Sequence, residues 1–314
     1  MNNRHTINRP VPRLSSATAV GVALLLTMIH SGCIRQGIDD DCLFPLRLHF
    51  SYNYNREQTD LLRDEIPTIS LRLYDAENGA FVKAADIDVD QLDADNCYSM
   101  MVPPGRYSLV SWGGIVERYS IDNANVLADH TLTLPAADDG SVAHKREHLW
   151  HQLTTGLNVD GNLSPVHDID LHKISNDVTV TVASADGSPL KGKVSSFIES
   201  SNALYDFTGH VSDASASVRY YPQNDSSDPS RSVDSYTTLS LERNDDSALS
   251  VSYDDNEIFN GSLTALIARQ PDIIFDLDDD FRLDFTVNPG PDGMASVTVR
   301  VNNWRVSEYN VTLK

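Results

Sequence analysis

Residues 46–54 read Leu, Arg, Leu, His, Phe, Ser, Tyr, Asn, Tyr, an alternation that puts Leu46, Leu48, Phe50, Tyr52 and Tyr54 on one side of an extended strand. A helix would scatter these five side chains around its circumference, so the stretch calls for a sheet with one dry face. Ile69, Leu71 and Leu73 repeat the pattern. Asp75, Ala76, Glu77, Asn78 and Gly79 then supply turn chemistry, the Asn-Gly pair taking positive φ before Phe81 and Val82 resume the strand. The expected unit is a β-hairpin.

Residues 101–114 extend the argument. Pro104 and Gly105 fit the second and third positions of a type II turn, with positive φ at the glycine, and Tyr107, Leu109 and Ser111 then alternate with Ser108, Val110 and Trp112. Asp86, Asp88 and Asp90 resemble the start of an EF-hand loop, but Gln91 and Cys97 stand where that loop needs Gly and Glu. The three acids are therefore read as the wet face of a strand whose dry face carries Ile87 and Val89. Residues 143–151 have helical capacity. On a helix His144, His148 and His151 would share one face at a spacing able to hold a metal, but the segment lacks the His-Glu-x-x-His order of a metalloprotease. It reads as a solvated connector with Leu149, Trp150 and Leu153 packed on a domain, and no metal or cofactor is expected.

A second strand-rich unit begins near Asn176, with strand candidates at 178–183, 194–198, 217–221, 236–241, 248–253, 281–287 and 296–301, separated by polar turns. Seven short strands at this spacing suggest a sandwich. Residues 263–267 fit a strand or one helical turn, and the acidic run 276–280 reads as a charged loop before Phe281.

The N-terminus follows other rules. Arg4, Arg9 and Arg13 precede an apolar or small-residue run over 14–29, too short for a bilayer span, which closes on His30, Ser31, Gly32 and Cys33. Small residues directly before a cysteine resemble a lipobox, where bacterial signal peptidase II cuts after the thiol is lipidated; His30 departs from the usual aliphatic residue. Residues 1–32 are accordingly a lipoprotein signal peptide, Cys33 the lipidation site, and 33–42 an acidic tether through Asp39, Asp40 and Asp41. Acids just after the lipid cysteine resemble the signal that sends Bacteroidetes lipoproteins to the outer face of the outer membrane. The whole chain carries 24 basic and 45 acidic residues; without the leader's three arginines this is 21 against 45, or −24. Nucleic acid is excluded as a partner, because phosphate binding needs basic surface. Beyond Cys33 there are only Cys42 and Cys97, two thiols able to pair in an oxidising compartment if the strands that follow them are neighbours, a closure worth roughly 4 kcal/mol.

The strand patterns in their order carry a resemblance. Leu-x-Leu-x-Phe-x-Tyr-x-Tyr-Asn at 46–55, Ile-x-Leu-x-Leu-Tyr-Asp at 69–75 and Pro-Pro-Gly-x-Tyr-x-Leu-Val-x-Trp-Gly at 103–113, behind a lipobox, resemble the FimB/Mfa2 family of fimbrillin-associated anchor proteins. Lys173, Ile174, Ser175 and Asn176 leading into 178–182, and the run from Val297 to Trp304, add to it; residues 200–270 match no family motif. The resemblance implies an all-β chain of two transthyretin-like β-sandwich domains in tandem, here 43–175 and 176–314. It also implies a role in type V fimbriae, as the lipid-held anchor at the fimbria's base, with fimbrial subunits as partners and a lipid-anchored, surface-exposed place on the cell outer membrane.

Neither a Gly-x-Ser-x-Gly elbow nor a phosphate-cradling Gly-rich loop is present, so the chain reads as a non-enzyme. Two alternatives to the anchor stand. A fimbrial stalk or tip subunit would lose its first segment after Arg56 or Arg63, discarding the strand at 46–54. A surface glycan-binding lipoprotein would show exposed aromatic platforms, whereas Trp112, Trp150 and Trp304 read as core. Asp246, Ser247 and Ala248 resemble the Bacteroidetes O-glycosylation motif, making Ser247 the candidate acceptor. Residues 306–313 have the length of one further strand, and no long tail is expected to be spare for donation to another subunit.

Overall fold

The computed structural model describes residues 42–122, 124–161 and 165–313. The leader, Cys33 and most of the tether lie outside the described residues. In the first half the elements are β1 (Phe44–Ser51), α1 (Leu62–Glu65), β2 (Thr68–Asp75), β3 (Phe81–Asp88), β4 (Cys97–Val102), β5 (Gly105–Gly113), β6 (Ser120–Ile121), β7 (Thr131–Thr133), β8 (Ser141–Val142), β9 (Trp150–Val159), β10 (Val166–Asp170) and β11 (His172–Lys173). They build a three-stranded sheet ordered β10-β1-β4 and a five-stranded sheet ordered β11-β9-β5-β2-β3. The alternation works as the sequence demands through Tyr52: Leu46, Leu48 and Phe50 are fully buried and meet Leu71, Leu73, Leu109, Leu157 and Ile169 in one apolar cluster between these sheets, whereas β1 ends at Ser51 and Tyr54 is 39% exposed.

The second half supplies β12 (Ser175–Ser184), β13 (Val194–Ser200), β14 (Leu204–Asp206), β15 (Val218–Tyr220), β16 (Gln223–Asp225), β17 (Arg231–Leu239), β18 (Ala248–Tyr253), β19 (Asn256–Ser262), α2 (Leu263–Ile267), β20 (Asp280–Pro289), β21 (Met294–Val301) and β22 (Trp304–Thr312). A six-stranded sheet, β16-β17-β12-β20-β21-β22, faces a five-stranded one, β19-β18-β13-β15-β8. Their shared core holds Val178, Val180, Val182, Phe281, Leu283 and Phe285 against Ile198, Leu249 and Val251. Residues 263–267 form one helical turn, capped by the Ser262 hydroxyl accepting from the Ala265 amide.

The halves share strands. β8 precedes β9 in the chain yet pairs in parallel with β15, and β14 joins β7 in a small sheet ordered β14-β7-β6. The outward side of the first half's larger sheet is thus covered too: Tyr74, Val110 and Trp112 belong to the same apolar cluster as Leu132, Leu134 and Tyr205. This explains why β5 is buried from Tyr107 to Gly113 on both faces.

Three expectations change. The Pro-Pro-Gly corner joins β4 and β5, which lie in different sheets, so it carries the chain across the sandwich and is not a hairpin turn. Gly105 does not have positive φ; it is needed for space, since a Cβ there would come 3.0 Å from the Tyr107 hydroxyl, which donates to the Pro103 carbonyl at 2.6 Å. The 75–79 hairpin forms, but of the Asn-Gly pair only Gly79 takes positive φ, at 72°. Residues 143–149 are not helical, and β9 starts at Trp150. Tertiary bonds have taken the backbone groups a helix would use: Arg118 binds the carbonyls of Lys145 and Glu147, and the Ser175 hydroxyl accepts from the Leu149 amide.

Candidate functional site: an assembly surface

The two halves are fastened by buried polar groups that fix where the outer edges stand. Arg118 is 6% exposed; its guanidinium donates to the carbonyls of Lys145 at 2.9 Å and Thr237 at 2.7 Å, while its amide donates to the Glu147 carboxylate. A cation placed among carbonyls spanning both halves cannot be removed without stranding acceptors. Nearby, the Trp112 indole donates to Nε2 of His130 at 2.9 Å, so Nε2 is unprotonated, and Nδ1 donates to the Tyr74 hydroxyl at 3.0 Å. Burial pushes His130 down to about 4 and Tyr74 up to about 12, keeping both neutral. His151, whose Nε2–H donates to the Phe207 carbonyl at 3.1 Å, is likewise held down at about 4 by burial.

The acidic run at 276–280 joins this fastening. Arg56 forms a bidentate pair with Asp278 at 2.6 and 2.7 Å, and Lys173 reaches Asp279 at 2.6 Å. Arg63 is also engaged, with Asn96 and the Asp93 carbonyl. The two arginines considered as cleavage points therefore brace the fold, and they follow a strand, β1, that is the middle of its sheet.

The outer surface is a set of strand edges. On one side of the first sandwich, Lys83 of β3 donates to the Met101 carbonyl of β4 and ties the two sheets together. β22 ends the six-stranded sheet and pairs only with β21. Its inward side chains Tyr309 and Val311 are half-buried, the Tyr309 hydroxyl donating to the Ile258 carbonyl of β19 at 2.5 Å, and Trp304 at its start is 55% exposed. Trp304 is thus not core: it follows the Asn302-Asn303 turn at the end of the sheet, where no second layer covers it. Such an edge offers unpaired backbone groups beside apolar side chains, the pattern a foreign strand can join.

The other sequence candidates fall apart in space. β1 and β4 are neighbours, as pairing of Cys42 and Cys97 required, but Cys97 lies opposite His49 whereas Cys42 precedes Phe44, which lies opposite Val102. About 17 Å of strand separates Phe44 from His49, too far for two residues to bring Cys42 within the ~7 Å between Cα atoms that a disulfide needs. Both thiols are free. Ser247 is fully buried, its hydroxyl bonded to Ser200 and Asp245, so the folded chain has no room for a sugar on it. His144, His148 and His151 share no face, and among the described residues no group of three or more His, Cys, Asp or Glu could hold a metal ion. Sequence reasoning did not single out Arg118 or His130: their partners lie as far as 119 residues away, and no local spacing marks such a contact.

The sequence model of one family, Fimbrillin-A associated anchor proteins Mfa1 and Mfa2, matches residues 38–310. No curated protein matches the chain. Among solved structures, the fimbrial anchor protein Mfa2 from Porphyromonas gingivalis superposes with a TM-score of 0.71 at 21% identity, over 85% of this chain and 100% of that one. A proposed polysaccharide-binding protein from Bacteroides thetaiotaomicron gives 0.71 at 18% identity, over 87% and 99% of the two chains. An adhesin candidate from Bacteroides ovatus gives 0.70 at 17%, over 84% and 95%. At these identities the superpositions establish a common fold, and the family match establishes kinship: the chain belongs to the fimbrillin-associated anchor family, and its role is a fimbrial one at the cell envelope.

Proposed function

We propose that this protein is an outer-membrane lipoprotein, held by lipid on Cys33 and facing the cell exterior, that anchors a type V fimbria at its base and limits its length. The observation that carries this reading is the family match across nearly the whole chain after the leader. Residues 34–43 reach at most about 35 Å when extended, enough to hold the folded part close to the membrane surface. Several acyl chains at about 0.8 kcal/mol per buried methylene make a durable anchor. Each pair of facing sheets is read as one transthyretin-like domain, with the division at residues 175 and 176.

Two features support an anchor over a stalk or tip subunit. Cleavage after Arg56 or Arg63 would remove β1, the middle strand of its sheet, together with Leu46, Leu48 and Phe50 from the core. The C-terminal segment Trp304–Thr312 is already paired within its own sheet and presents an edge that a subunit can join. A protein that accepts one neighbour while its last described strand stays committed to its own sheet would end the polymer.

The test compares cells lacking the protein, cells with the wild type and cells with Cys33→Ser. Deletion should give longer fimbriae shed into the medium. The serine variant, if exported, should restore length without attachment, and only the wild type should take up a radiolabelled lipid precursor. Fimbriae of unchanged length that stay on the deletion cells would overturn the anchor reading.

A further inference from the structure

A cleft of about 720 Å³ opens in the second sandwich, between the N-terminal half of β13 and the β16–β17 pair of the facing sheet. Its origin is topological. β18 runs beside β13 from Val194 to Glu199, but β15 covers only Ile198 to Ser200, so the layer that closes the sandwich elsewhere is missing here.

The floor is polar. Asp234, 2% exposed, accepts from the Ser196 hydroxyl and from the Asn224 amide, and the Tyr236 hydroxyl bonds Ser196 in turn. Burial raises the Asp234 carboxyl above its ordinary range, and no basic side chain pairs with it to reverse that. Phe197 and Tyr221 stand at the walls. Tyr221 is 44% exposed, a large aromatic with no ring partner among the described residues. At the rim Arg231 pairs with Asp228 at 3.3 Å, and exposed Lys193 adds one further cation to the lining. Asn224, exposed on β16, joins floor to mouth through the Ser226 and Ser232 hydroxyls.

This combination selects a ligand class. A phosphate or nucleotide needs several converging cations, whereas this lining offers Lys193 and an Arg231 already paired with Asp228, beside the Asp234 carboxyl; an apolar ligand would desolvate the polar mouth at Asn224 and Ser226. A pyranose ring has an apolar C–H face that an exposed aromatic can cover, and hydroxyls that can donate to a carboxyl group and bond Asn and Ser. The volume lies within the roughly 300–1,000 Å³ of ordinary small-molecule sites. We propose that this cleft binds a short neutral saccharide, one ring lying on Tyr221 and its hydroxyls bonding Asn224 and the Ser196–Asp234 floor. The site is independent of the anchor edge at β22, so the protein would recognise glycan at the cell surface whether or not it holds a fimbria.

The experiment titrates the full chain, in a detergent without a sugar headgroup, with cellotriose, maltotriose, mannotriose, xylotriose and chitotriose, followed by calorimetry. At least one should bind and saturate at one site per chain. Tyr221→Ala and Asn224→Ala should each weaken that binding by about tenfold; the check on folding is an unchanged thermal midpoint in Tyr221→Ala and a lowered but still cooperative transition in Asn224→Ala, which takes one donor from buried Asp234. Tyr54→Ala, an exposed aromatic outside the cleft, should bind as the wild type does. Lack of binding by all five sugars, full affinity in folded Tyr221→Ala, or tighter binding of trigalacturonic acid than of any neutral sugar would each overturn the proposal.

Discussion

The first and last strands of the described fold share a period-two pattern and meet different fates. β1 lies between β10 and β4, and its Leu46, Leu48 and Phe50 are fully buried. β22 has one neighbour; Tyr309 and Val311 are half-covered and Trp304 is open to solvent. β22 carries the β-branched and aromatic residues that suit a pleated surface, while β1 relies on leucine and phenylalanine. What separates them is place in the sheet: a strand paired on both edges is committed to the core, whereas a strand paired on one can still be reached by another chain.

The largest expected effect breaks the committed strand. Phe50→Ala removes a fully buried ring between two sheets and should cost about 3–5 kcal/mol, read as a lower midpoint in urea. Val311→Ala on β22 should cost about 1 kcal/mol, because its side chain is only partly covered. Equal losses would mean that the last strand is as structural as the first.

A second effect sharpens the contrast between the fastened interior and the open edge. His130 and His151 have folded pKa values of about 4 against the ordinary 6.5, so the folded state binds fewer protons than the unfolded one below pH 6.5. Stability is therefore complete above the unfolded value and falls as pH drops through 6.5 toward 4, by about 2 kcal/mol per histidine at pH 5. A proton on Nε2 of His130 would also face the Trp112 N–H that now donates to it. Denaturation at pH 7.5 and pH 5 should show the loss, and His130→Gln should have a smaller pH dependence despite a lower starting stability. A variant as pH-sensitive as the wild type would assign the effect elsewhere.

These two regions were unequally legible in the sequence. The alternation at 46–52 and 69–73 announced β1 and β2, because Leu46, Leu48, Phe50, Ile69, Leu71 and Leu73 line one core, although β2's other face, at Tyr74, is buried as well. β5 was legible as a strand, but the cover on its second face was not, since that cover comes from β7 and β14, far along the chain. β9 was missed: its Trp150, His151 and Leu153 spacing reads equally as helix, and it is Arg118 and Ser175, from elsewhere in the chain, that hold the backbone just before it extended. The cleft beside β13 could not be foreseen, as it arises where a three-residue strand stops short of its neighbour. Tyr221 closed the strand candidate 217–221 and Asn224 read as a turn residue, whereas Asn224 lies on β16 and Tyr221 just beyond the end of β15.

The smallest stability effect tests the open edge itself. Trp304 is exposed and makes no ring contact among the described residues, so Trp304→Lys should change folding stability by no more than about 0.5 kcal/mol. A lysine at a strand edge opposes strand addition, because its ammonium must be desolvated when a neighbour pairs there, and the indole's apolar area is lost from the junction. If β22 is where a fimbrial subunit joins, cells with Trp304→Lys should retain fewer fimbriae while the protein stays lipidated, folded and at normal abundance. The comparison with β1 then becomes a separation of functions, since Phe50→Ala should lower abundance and retention together. Fimbriae retained at the wild-type level on Trp304→Lys cells would remove β22 from the junction and direct attention to the opposite edge of the same sheet, at β16.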